Sequence, residues 1–280
     1  MTGIPTRFSR ASCFSALLLL AHPAHGAWTL VTSPNGEGRI SALNAVAATS
    51  TNDIWAVGLT TPADSGAPQT LIEHWDGGGW SLFPAPPEMM FWFDSSRVGV
   101  AAIAPDDAWS IGPFDSTHWD GVSWSVVGGA QSDATIAAAG PTAVSAVGSY
   151  TTYDEGEIFG PFTMAARWTD DRWLSTPSQS PLGDDNFEGV AVIADGDVWG
   201  VGRSGRLTLT EHWDGNSWTV VPSPNGNPMP APLRRDANQL RAAAALSSDD
   251  VWAVGYFYEN DAFTQRTLIL HWDGAAEPTP

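Results

Sequence analysis

The tetrapeptide His-Trp-Asp-Gly occurs at His74, His118, His212 and His271, and a degenerate copy, Arg-Trp-Thr-Asp, begins at Arg167. A motif that recurs inside a longer pattern is first of all an element of architecture. A second Trp follows the motif's Trp by five residues at Trp80, Trp124, Trp173 and Trp218. Upstream stands Asp53-Ile-Trp-Ala-Val-Gly58, with counterparts at 107–112, 143–148, 197–202 and 250–255. Before that comes a small-residue stretch: AVAA from Ala45, VAAIA from Val100, TIAAAG from Thr135, GVAVIA from Gly189 and RAAAAL from Arg241. The chain is thus five units of roughly 36 to 59 residues.

Each unit reads as four short strands, a to d. Leu71, Glu73 and Trp75 alternate with Ile72, His74 and Asp76, the period of a strand, and the Asp-Gly that follows signals a hairpin. Propensity alone makes 241–246 a helix; its place in the repeat makes it a strand. Four-stranded units at this period predict an all-β chain folded as a five-bladed β-propeller, with four antiparallel strands per blade. The Ala-rich strands suit the crowded axis. The fifth unit stops at Gly274 without a strand d, whereas Trp28-Thr-Leu-Val reads as a strand d with nothing before it. The N-terminal strand is therefore expected to complete the last blade, which makes 27–274 one domain and removes exposed sheet edges.

Fourteen of the fifteen Trp occupy repeat positions. Each can bury some 150–250 Å², about 4–6 kcal/mol as an upper bound. Equivalent residues in different blades lie far apart around a ring and do not converge on one substrate. His74-Trp75-Asp76 therefore reads as structure. Outside the leader, the motif copies account for all of the His, so a His-based metal site or triad has little to draw on.

Residues 1–26 read as a secretion signal: Arg7 and Arg10, an apolar run over 13–21, then Ala24 and Gly26. The expected destination is extracellular or periplasmic, with no membrane span. Residues 275–280 form a Pro-rich tail. Cys13, the one cysteine, lies in the leader, so the exported chain has no disulfide or thiol chemistry. No Lys is present, and the net charge of −19 becomes −21 without Arg7 and Arg10. Such a surface repels phosphate backbones, which excludes nucleic acid as a partner. The reading is a monomer that needs no metal and no cofactor.

The pattern D-[IVA]-W-x-[VI]-G followed by H-W-D-G-x-x-W-x-[VL] resembles the kelch-like, galactose-oxidase-like propeller repeats of exported bacterial proteins, over essentially all of residues 27–274. The resemblance implies a rigid extracellular binding or scaffold module. It does not extend to the copper-radical oxidases of that fold, which need a Cys crosslinked to a Tyr. The third unit departs most, with Ser145 at the strand-b Trp position and Arg167-Trp-Thr-Asp for His-Trp-Asp-Gly.

The a–b turns are short and carry Asp53, Asp107, Asp197 and Asp250, read as turn caps. The long connections, 84–97, 149–164, 222–238 and 256–266, are all b–c or d–a and project from one face, the usual place of a binding site. Trp92 lies there in the apolar run Phe91, Trp92, Phe93, either as a stacking platform or as a cap on the ring. Tyr150, Tyr153, Tyr256 and Tyr258 add aromatics. Asp94, Asp133, Asp184, Asp185, Glu188 and Asp236, with Arg97, gather just before strand a, either as a solvated rim or as a polar pocket at the mouth of the central channel. Three functions fit: a binding module for an extracellular carbohydrate or protein, a five-bladed glycoside hydrolase using those carboxylates, or a structural module of a surface assembly. The near-absence of carboxylates on the Ala-rich inner strands favours the first.

Overall fold

The computed structural model describes residues 29–34, 40–61, 68–86, 98–113, 115–129, 135–154, 157–179, 181–227, 237–259 and 264–274. Regular structure among them is β-strand alone, in five sheets. The first comprises β1 (Ile40–Ser50), β2 (Asp53–Thr61), β3 (Gln69–Trp75) and β4 (Trp80–Phe83). The second comprises β5 (Gly99–Ala104), β6 (Asp107–Ile111), β7 (Ser116–Trp119) and β8 (Trp124–Gly128). The third comprises β9 (Thr135–Gly140), β10 (Ala143–Asp154), β11 (Glu157–Thr169) and β12 (Arg172–Ser175). The fourth comprises β13 (Asp185–Ala194), β14 (Asp197–Ser204), β15 (Leu207–Trp213) and β16 (Trp218–Val220). The fifth comprises β17 (Asn238–Ser247), β18 (Asp250–Tyr258) and β19 (Gln265–Trp272). Neighbours in each sheet are antiparallel and follow chain order. The Ala-rich segment 241–246 is a strand within β17, as its place in the repeat requires.

Successive sheets pack through their first strands, β1 on β5, β5 on β9, β9 on β13 and β13 on β17, which is how propeller blades meet. The repeated residues explain the contact. In three blades the Gly ending Asp-x-Trp-x-Val-Gly lies beside a bulge in strand a. A Cβ on Gly58, Gly202 or Gly255 would stand 1.9, 2.0 or 1.9 Å from the carbonyl oxygen of Ala42, Asn186 or Gln239. Only glycine admits so close an approach.

The opening Asp of that signature does something other than cap its turn. Its carboxylate meets the strand-c His across the sheet: Asp53–His74 at 2.7 Å, Asp107–His118 at 3.0 Å, Asp197–His212 at 2.8 Å and Asp250–His271 at 2.9 Å. The same His lies against the strand-b Trp, with ring centroids 4.2 Å apart for Trp55–His74 and 4.3 Å for Trp109–His118. The strand-c Trp ties its indole N–H to the a–b turn, as in Trp75 to Thr51 O at 3.1 Å and Trp213 to Asp195 O at 3.1 Å. Turn capping falls instead to the Asp of His-Trp-Asp-Gly. Asp76 Oδ1 accepts from the N–H groups of Gly78 and Gly79, Asp120 from Val122 and Ser123, and Asp214 from Asn216 and Ser217. Those bonds hold the three carboxyl groups below the usual carboxylate range.

The third blade replaces this set as a group: Ala143, Ser145 and Arg167 stand where the others have Asp, Trp and His. Arg167 turns outward to Asp195 of the fourth blade, with Nη1 3.0 Å from Oδ2. The c–d turn there is Asp170-Asp171, both at positive φ, where its counterparts use Gly77, Gly121 and Gly215.

The sequence reading of a four-stranded fifth blade differs from what is seen. Residues 29–34 carry no regular structure, and the fifth sheet has three strands among the described residues. Trp252, in β18, is 43 % exposed, against 1, 2 and 4 % for Trp55, Trp109 and Trp199. The leader 1–26 and the tail 275–280 lie outside the described residues. No helix among the described residues is long and apolar enough to cross a membrane.

Candidate functional site: a groove beside the third blade

Segment 149–164 reads from the sequence as a long loop. It is instead a continuation of β10 and β11, which run 12 and 13 residues, against 5 and 4 for β6 and β7 of the preceding blade. At about 3.3 Å per residue the hairpin outgrows its neighbour by roughly 20 Å. At the a–b end of β10, the face of the third blade that carries Val144, Ala146 and Ala166 packs on Ala101, Trp109 and Ile111 of the second blade. Towards the b–c hairpin the strands of the second blade stop at Ile111 and Ser116, and on that face Tyr150 is exposed. The step forms a groove of about 640 Å³.

Tyr150 and Phe162 are paired across the hairpin, with centroids 5.6 Å apart, and both line the groove. Met164, Ala166, Trp173 and Ser175 continue the lining, and Gly129 marks the rim on the second blade. A bulge between Tyr150 and Thr152 leaves Thr151 without a cross-strand partner, so adjacent residues Tyr150 and Thr151 both reach the groove. Tyr150 is 44 % exposed. The side-chain hydroxyls of Tyr150, Thr151 and Ser175 make no hydrogen bond among the described residues. The Trp173 indole is committed, donating to Ser116 Oγ at 2.6 Å.

The remaining wall, Thr176, Pro177 and Ser178, begins the d–a connection and is held from beneath. Ser178 Oγ donates to Thr163 Oγ1 at 2.5 Å, which donates to Gln179 O at 3.0 Å. Trp218 Nε1 donates to Thr176 Oγ1 at 2.9 Å. Gln179 N donates to Glu211 Oε2 at 3.0 Å. Glu211 is fully buried, and its Oε1 has no hydrogen-bond partner among the described residues. Burial pushes its carboxyl up to about 7; the Gln179 bond opposes this, and the charge of Asp185 adds to it. Glu73, at the same position in the first blade, is also raised by burial, with the Ser33 hydroxyl opposing.

Of the residues read from sequence as candidates, Tyr150 lines the groove, and Tyr153 lies near the hairpin tip in β10. Asp185 does not face a channel mouth. It is fully buried at the start of β13, where Oδ2 accepts from the N–H groups of Leu182 and Gly183 at 3.1 and 2.7 Å. Its neighbours are paired: Asp184 with Arg203 at 3.0 Å, and Glu188 with Arg241 at 2.9 Å. Tyr256 and Tyr258 belong to the fifth blade, away from the groove, and the Tyr256 hydroxyl donates to Gln239 Oε1 at 2.7 Å. Phe91, Trp92, Phe93, Asp94, Arg97, Asp133 and Asp236 lie outside the described residues. Thr151 and Ser175 carry no signal in the sequence, and Trp173 reads there only as a repeat Trp, because the groove they line arises from unequal strand lengths. Among the described residues, no three His, Cys, Asp or Glu side chains gather to hold a metal.

No family model and no curated protein matches this sequence. Among solved structures, the chain is similar to YCF48 bound to a D1 peptide, at 14% identity and a TM-score of 0.46, over 86% of this chain and 70% of that one. It is also similar to the Aleuria aurantia lectin, a fungal six-bladed β-propeller that recognises fucose, at 12% identity and a TM-score of 0.44, over 81% and 77%. A third is the xylan β-1,4-xylosidase of Bacillus halodurans C-125, at 10% identity and a TM-score of 0.40, over 86% and 54%.

Proposed function

We propose that the chain is an exported, non-enzymatic β-propeller of the kind its kelch-like repeats resemble, and that it binds a carbohydrate or protein through the face bearing its b–c and d–a connections. The groove beside the third blade carries this reading. It lies where a b–c hairpin and a d–a connection of one blade meet, its walls are fixed by hydrogen bonds, and its volume falls in the range of ligand pockets. Among the described residues no carboxylate lines it, which supports binding over the acid–base pair of a glycoside hydrolase. The test is a binding screen of residues 27–280 against a glycan array and a panel of extracellular proteins, beside Tyr150→Ala. Specific binding that fails in the variant supports the reading. Turnover of any glycan at enzymatic rates contradicts it.

The reading includes a closed ring of five blades. At the first two interfaces a c–d Trp pair of one blade covers the strand-b Trp of the blade before it, and at the fourth Trp272 alone lies against Trp199. Trp119 and Trp124 both lie 5.1 Å from Trp55, and Trp168 lies 4.7 Å from Trp109. Trp252 has no such cover among the described residues, and the first blade holds a matching pair, Trp75 and Trp80, 5.9 Å apart. These are complementary halves of one more interface. Residues 28–31 carry in sequence the strand-d pattern, Trp-Thr-Leu-Val, that the fifth unit lacks.

A further inference from the structure

Resting on the reading of this face as a binding face, we infer that the groove between the second and third blades takes an uncharged sugar segment of a glycan, with Tyr150 as the ring on which it stacks. Three observations select that chemistry. First, the groove's lining among the described residues holds no Asp, Glu, Lys, Arg or His, and the chain carries a net charge of −19. Among those residues an anionic glycan finds no cation to offset the repulsion, and a basic peptide finds no carboxylate. Second, the unbonded polar groups facing the groove are hydroxyls, those of Tyr150, Thr151 and Ser175. A hydroxyl both donates and accepts, as do the hydroxyls of a sugar, so the two match without a fixed polarity. Third, the exposed Tyr150 ring is backed by Phe162, and Trp173 and Met164 supply apolar surface beside it. A sugar ring has an apolar C–H face and a polar rim, which fits an aromatic platform edged with hydroxyls.

The groove is also set before a ligand arrives. Thr163, Thr176 and Ser178 are fixed by hydrogen bonds to one another or to neighbouring residues, so little further ordering accompanies binding.

The test is isothermal titration of the protein with neutral oligosaccharides (xylo-, cello-, manno- and galacto-hexaoses) and with acidic ones (oligogalacturonate and alginate oligomers), at low and high salt. Wild type is compared with Tyr150→Ala and Ser175→Ala, each first shown to keep the wild-type melting temperature. The expected result is binding of at least one neutral oligosaccharide, insensitive to salt and weakened about tenfold in Tyr150→Ala, with a smaller loss in Ser175→Ala. Tighter binding of the acidic sugars overturns the inference. Neutral binding that is unchanged in Tyr150→Ala also overturns it, while leaving the binding face itself intact. If no sugar binds but an extracellular protein does, lost in Tyr150→Ala, the chemical class is wrong and the proposed function stands. If neither binds, both fall.

Discussion

Replacing Trp109 with alanine lowers the free energy of unfolding by about 3–5 kcal/mol. Trp109 is the hub between the second and third blades. It is 2 % exposed, stacked on His118 at 4.3 Å, 4.7 Å from Trp168 and 6.0 Å from Trp173, and its indole N–H donates to Asp107 Oδ1 at 3.0 Å. Truncation removes the transfer energy of the ring. It also leaves a cavity walled by Ile111, Val144 and Ala146, on strands too constrained to collapse into it. Asp107 keeps His118 as a partner, so the loss comes from packing rather than from an orphaned charge. Urea unfolding followed by far-ultraviolet circular dichroism measures it. A loss below 1 kcal/mol would mean that the Trp layers do not carry the stability of a chain that lacks disulfides.

Glu211→Gln stabilises the protein at pH 8 and leaves it nearly unchanged at pH 4. The Glu211 carboxyl sits at about 7 in the folded chain, raised from the ordinary 4.5 chiefly through burial. A raised carboxyl favours the folded state fully below the unfolded pKa, and that contribution is lost as pH rises through the folded one. Glu211 therefore makes the protein progressively less stable between about pH 4.5 and 7, by an amount on the order of 3 kcal/mol. Asp76, Asp120 and Asp214 act in the opposite sense, because their depressed carboxyls lose stabilisation only as pH falls below their ordinary range. The difference between variant and wild type isolates Glu211 from them. Chemical denaturation at pH 4, 6 and 8 reads it. A gap that stays constant across the three would show that Glu211 does not change its charge in this window.

Much of the fold was legible because each repeated residue has one structural partner. Strand period, Asp-Gly turns and the Ala-rich stretches located the strands, and five copies of one register outweighed the helical propensity of 241–246. Glu73 already stood in phase with Leu71 and Trp75, and that phase signals a carboxylate on a buried face, where Glu73 and Glu211 are found. Partner choice was less legible. Asp53 in a turn can bond its own backbone or a side chain across the sheet, and only the pleat places His74 Nε2 within 2.7 Å. The candidate site was largely hidden. Gly160-Pro161 and the bulge at Thr151 interrupt the alternation of 149–164, so two long strands read as a loop. The groove itself depends on a difference in strand length between blades, which no single motif records.

The account rests most heavily on the ring, because only closure gathers the b–c and d–a connections onto one face around a common axis. Small-angle X-ray scattering of residues 27–280 tests that directly. A closed five-bladed monomer predicts a radius of gyration of about 18 Å, that of a compact chain of this length, with a single symmetric maximum in the distance distribution. A larger radius with a long tail of distances, or a mass of two chains, would show that Trp252 is not covered by Trp75 and Trp80 of its own chain, and would contradict the account.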